Sequence, residues 1–71
     1  MEKKVRRVLE SGKNVDGKKV VTIKAIKRKF SNELLDFRFR NEFWAITNKL
    51  ADYHMNPEGK SDYLVYPKRT H

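Results

Sequence analysis

Cysteine is absent from the 71 residues. No disulfide framework can staple this chain, and no thiolate zinc site or cysteine nucleophile is available to it. Long apolar runs are missing too. None approaches the roughly 18–20 residues that cross a bilayer, and the N-terminus lacks the apolar centre of a signal peptide. The expected location is the cytoplasm, or the nucleoid if DNA is bound, with no membrane partner. His54 and His71 stand far apart and the acidic residues are scattered singly. Neither a general acid–base pair nor a metal-ligand spacing can be assembled from them. Gly12, Gly17 and Gly59 are too dispersed for a phosphate-cradling loop and read as turn residues. An enzyme, a cofactor, a bound metal and a small-molecule substrate are therefore all unexpected, and the sequence points to a binding protein.

What is present suffices for one core. Hydrophobic residues make up 38% of the chain and aromatics 11%, which argues against disorder. The length limits the chain to a single domain, expected over residues 1–67, with Lys68-Arg69-Thr70-His71 as a flexible basic tail. Lysine and arginine number 17 against 9 acidic residues, a formal net charge of +8. Residues 1–30 carry eleven basic and three acidic residues, so the whole excess lies there; residues 31–71 balance at six of each. Such asymmetry creates a one-sided field that attracts polyanions.

Asp16-Gly17 is the clearest local signal, a two-residue type I′ hairpin turn in which both residues take positive φ. The β-branched run Val20–Ile26 predicts a strand after it, with Val21, Ile23 and Ala25 on its apolar side. Two readings of the preceding segment are open. As a strand, residues 4–12 would fall opposite 21–29; as a helix, Val5, Val8 and Leu9 would share one face and Gly12 would close it. The hairpin is the preferred one. Leu35, Phe37 and Phe39 alternate with Asp36, Arg38 and Arg40, as in a strand; paired across Phe30-Ser31-Asn32, this segment would set Ala25 against Phe37 and Ile23 against Phe39 in the core. The competing reading is a helix starting at a Ser31 cap. Asn41 is a good N-cap for a helix over Glu42–Met55, closed by Asn56-Pro57. Its apolar arc spans roughly 200° at 100° per residue, too wide for one sheet to cover. Tyr63–Tyr66, a short extended segment before Pro67, is the expected cover, and a partner protein the other candidate.

The expected fold is therefore α+β: a three-stranded antiparallel sheet in β-β-β-α order, one C-terminal amphipathic helix and a short extended C-terminal segment. This layout looks like that of DNA-binding domains with a three-stranded sheet backed by a C-terminal helix, as in integrase arm-binding domains. The similarity is one of predicted topology, without any motif of that family.

Solubility alone accounts for scattered lysines, yet Lys24, Lys27, Arg28 and Lys29 are densely grouped, and like charges facing one another cost stability unless a partner neutralises them. Phosphate backbones do so, with counterion release driving affinity. The expected function is binding of nucleic acid, DNA favoured over RNA, through a basic β-ribbon in the major groove. Arg38 and Arg40 are the candidate base readers. Arg6, Arg7, Lys18, Lys19, Lys24, Lys27, Arg28 and Lys29 are the candidate phosphate contacts. Phe37 and Phe39 would serve a single-strand reader only if the register turned them outward. The alternative is a protein-binding module, such as a small viral or mobile-element regulator docking on a host protein through Trp44, Tyr53, Tyr63 and Tyr66. A ribosome-associated RNA-binding protein fits the composition as well.

Overall fold

The computed structural model describes residues 1–69. In chain order the elements are α1 (Glu2–Glu10), β1 (Lys13–Val15), β2 (Lys18–Thr22), α2 (Ile23–Lys29), a 3-10 turn (Glu33–Leu35), α3 (Phe37–Leu50), β3 (Asp52–His54) and β4 (Tyr63–Tyr66). The class is α+β as expected, but the arrangement differs. Instead of three strands and one helix, the described residues form a four-stranded antiparallel sheet in the order β1-β2-β4-β3, with three α-helices. The similarity to three-stranded, helix-backed domains lapses with that topology.

Residues 2–10 are the helix, not the strand. Val5, Val8 and Leu9 turn to one side and are buried, the i, i+3, i+4 pattern of an amphipathic helix. The Asp16-Gly17 turn forms with φ of 52° and 80°, and Val15 pairs with Lys18 and Lys13 with Val20. The ladder stops there because α1 ends against the hairpin. Gly12 closes the approach: a Cβ at that position would stand 2.4 Å from the Val20 carbonyl oxygen.

The expected strand over Val20–Ile26 lasts only to Thr22. That residue leaves the sheet and caps α2, its Oγ1 accepting from the Ala25 amide at 3.1 Å. Ile23 and Ile26 then share a helix face, and Ile26 is fully buried. The alternating run that followed is no strand either. Asp36, rather than Asn41 or Ser31, starts α3 by accepting from the amides of Arg38 at 2.8 Å and Phe39 at 3.1 Å. From that start Phe39, Phe43, Ile46 and Leu50 line one face, and Phe37 is left 66% exposed. The pairings of Ala25 with Phe37 and Ile23 with Phe39 do not exist. At its other end α3 stops at Leu50, because Ala51 turns extended and Asp52–His54 pair with β4.

Phe30, Phe39 and Phe43 form the aromatic centre, with ring centroids 5.1 to 6.2 Å apart. Trp44 meets Phe43 edge-on at 5.2 Å. Around them gather Val5, Val8, Leu9, Val21, Ile26, Ala51 and Leu64. Thr47 is the buried polar residue of this core, and its hydroxyl donates to the Phe43 carbonyl at 2.7 Å. The apolar side of α3 packs against α1 and shares its core with Leu64 of Tyr63–Tyr66. The latter is β4, a central strand between β2 and β3. Of the tail, the Lys68 amide donates to Leu50 O at 2.7 Å and the Arg69 amide to Asp52 Oδ2 at 2.8 Å; Thr70 and His71 lie outside the described residues.

Candidate nucleic-acid interface

Burial of Phe43 and Thr47 fixes which way α3 faces. At 100° per residue the opposite side carries Arg38, Asn41, Glu42, Ala45, Asn48 and Lys49, and all six are exposed. Arg38, Asn41, Ala45 and Asn48 form one row along it, with a cationic end, two amides and a methyl. Glu42 and Lys49 lie along its flank. Because Asp36 holds the first turn, Arg38 projects from a backbone fixed by two hydrogen bonds.

The ten basic residues expected to share a ribbon are divided among four elements. Arg6 and Arg7 are on α1, Lys18 and Lys19 on β2, Lys24, Lys27, Arg28 and Lys29 on α2, and Arg38 and Arg40 on α3. The β-ribbon site is therefore corrected: β1 spans three residues, and most of the charge is helical. Three groupings replace it. Arg7 and Lys29 meet Lys3 and Lys4 in a groove of about 510 Å³ floored by Met1 and Phe30. The Lys4 ammonium stands 5.6 Å from the centre of the Phe39 ring. Lys27 and Arg40 face a second groove, of about 330 Å³, with Ser31, Leu34, Leu35 and Trp44. Lys18 lies apart on the sheet near Asp52, His54, Val65 and Arg69, its ammonium donating to the Pro67 carbonyl at 3.3 Å. Arg6 pairs with Glu2 at 2.9 Å, and hydrogen bonding to that carboxylate raises its guanidinium above its ordinary value.

Lys3 and Lys4 join the basic grouping of Arg7 and Lys29 only because residues 2–10 are a helix; the spacing of Lys3 to Arg7, one helical turn, is the signal for it in the sequence. Ala45 and Asn48 lie on the outward side of the expected Glu42–Met55 helix as well; the start at Asp36 adds Arg38 and Asn41 to that side.

The four aromatics of the alternative protein patch do not come together. Trp44 belongs to the groove beside α3. Val21 and Leu64, paired and buried, mark the inner face of the sheet. By alternation Tyr53 and Tyr66 share that face, whereas Tyr63 turns to the outer face and stacks on His54 at 5.3 Å. Tyr53 instead latches the connection between β3 and β4. Its hydroxyl donates to Asp62, whose other oxygen accepts the Asn56 amide at 3.0 Å. These bonds hold the Asp62 carboxyl below its ordinary range, and the same Asp62 bond raises the Tyr53 phenol. The loop is tied to the start of α2 as well, through Ile23 N–H to Asp62 O at 2.8 Å and Lys24 N–H to Ser61 Oγ at 3.1 Å.

Among the described residues no group of three His, Asp or Glu side chains is placed to hold a metal ion. Among those same residues no helix is long and apolar enough to cross a membrane. No known family profile matches the chain, and no curated protein or solved structure matches it significantly.

Proposed function

We propose that the protein binds duplex DNA, with α3 laid in the major groove and the end of α2 against the phosphate backbone. The observation that carries this reading is the outward stripe Arg38, Asn41, Ala45 and Asn48. Its chemistry matches base edges: arginine pairs bidentately with guanine, asparagine with adenine, and a small methyl packs on the thymine methyl. Two consecutive helices, the second with one face in the core and one face free, are what helix-turn-helix readers use; that parallel is an analogy of arrangement. Lys27, Arg28 and Lys29 on the last turn of α2 supply phosphate contacts. A DNA reader of this kind works in the cytoplasm or on the nucleoid.

The test is selection from a random duplex library followed by anisotropy titrations at several salt concentrations. Arg38→Ala should relax preference at one base position at a cost of about 1–3 kcal/mol. Replacing Lys27, Arg28 and Lys29 with alanine should weaken all sequences alike and flatten the salt slope by about 0.9 for each phosphate no longer neutralised. Absence of binding at low salt would overturn the reading.

A further inference from the structure

We propose that the groove between the end of α2, the 3-10 turn and the side of α3 is a docking site for a short acidic segment of another protein that carries aliphatic anchor residues. The proposal goes beyond DNA binding and does not depend on it. Leu35 is 79% exposed and Phe37 66% exposed, on either side of the capping Asp36. A single exposed leucine needs no explanation. Here Leu35 lines a groove that already has apolar walls, Leu34 and Trp44, and Phe37 lies beside Arg40 at its edge. The core makes no use of Leu35 or Phe37, being closed by Phe30, Phe39 and Phe43.

The charges at the rim say what fits. Lys27 and Arg40 line the groove and no acidic residue does. The Arg40 guanidinium stands 5.7 Å from the centre of the Phe37 ring, so a cation is held at the edge of the apolar surface. Trp and Arg beside a concave apolar pocket are the residue types that anchor protein interfaces. An aliphatic side chain would fill the space between Leu34, Leu35 and Trp44, while carboxylates beside it meet Lys27 and Arg40. A nucleic-acid strand would satisfy the two cations and leave Leu35 and Phe37 in water. A second copy of this chain brings its own +8 and is repelled.

The full chain, labelled for two-dimensional amide NMR, is titrated with a short peptide of aspartate and glutamate carrying two leucines one helical turn apart. A second peptide of equal charge has serine in place of both leucines. The expected result is saturable shifts at Lys27, Leu35 and the Trp44 indole, with the serine peptide binding about tenfold more weakly, the loss expected of an anchor. Leu35→Ser and Phe37→Ser, both at exposed positions, should weaken the leucine peptide similarly while circular dichroism and duplex-DNA affinity stay unchanged. Equal binding of both peptides, no shift at these residues, concentration-dependent shifts without peptide, or a matching loss of DNA affinity in Leu35→Ser would each overturn the proposal. The DNA titration keeps its fate separate from that of the DNA reading.

Discussion

Phe37 and Phe43 are six residues apart in one helix and have opposite fates. Phe43 is fully buried where three aromatic rings meet, so Phe43→Ala should cost about 3–5 kcal/mol in chemical denaturation, from forfeited transfer energy and the cavity left behind. Phe37→Ala should change stability by no more than about 0.5 kcal/mol, as an exposed substitution does. The alternation Leu35, Phe37, Phe39 concealed this difference, because in a strand all three share a side. The helical row Phe39, Phe43, Ile46, Leu50 was equally present in the sequence, but it becomes visible only once Asp36 is taken as the start. Gly12 is legible in the sequence as the close of a helix but not as a point of close approach. Its identity is set by the Val20 carbonyl, and that close approach exists only in the fold. Gly12→Ala should destabilise by about 1–3 kcal/mol, the cost of overpacking, with the midpoint of denaturation as the measure.

Elements were legible where a local cue settled them. Asp16-Gly17 is such a cue, and Tyr63–Tyr66 was recognised as extended from its composition. Boundaries were lost where one polar side chain switches the chain between states. Thr22 ends a strand and begins a helix; Asp36 begins another inside what looked like a β pattern. Thr22→Ala and Asp36→Ala should each cost about 0.5–2 kcal/mol, with amide exchange rising in the first turn of α2 and α3 respectively. The latched loop between β3 and β4 has a pH signature. The depressed Asp62 carboxyl stabilises the loop above its unfolded value near 3.9 and ceases to do so as pH falls through its lower folded value. The raised Tyr53 phenol acts oppositely: its contribution is complete below about pH 10 and is lost as pH rises through its higher folded value. Amide protection over residues 55–62 should therefore be flat through neutral pH and fall at both extremes. In Asp62→Asn the Tyr53 phenol, followed by ultraviolet absorbance, should titrate closer to its ordinary value.

On the scale of the molecule, the sequence located the charge correctly and its geometry wrongly. The +8 does belong to residues 1–30, but folding distributes it over the outer side of α1, the end of α2 and part of β2 instead of one ribbon. The stripe on α3 was only half legible: Ala45 and Asn48 share a face in any helix from Glu42, whereas Arg38 and Asn41 join them only when α3 begins at Phe37. Binding measured against ionic strength should separate the two contributions. Affinity for any duplex should fall steeply with salt through Lys27, Arg28 and Lys29, while the ratio between preferred and random sequence should depend on Arg38, Asn41 and Asn48.

The sheet order has a consequence for synthesis. β2 is laid down early in the chain, yet its partner on the inner side is β4, joined through pairs as distant as Lys19 with Tyr66. Until Tyr63–Tyr66 have left the ribosome, β2 and β3 lack the strand that lies between them and the sheet cannot close. Leu64, fully buried, arrives among the last of the core residues. The domain thus assembles after translation of its core rather than during it, and a chain truncated before Tyr63 should remain open and protease-sensitive.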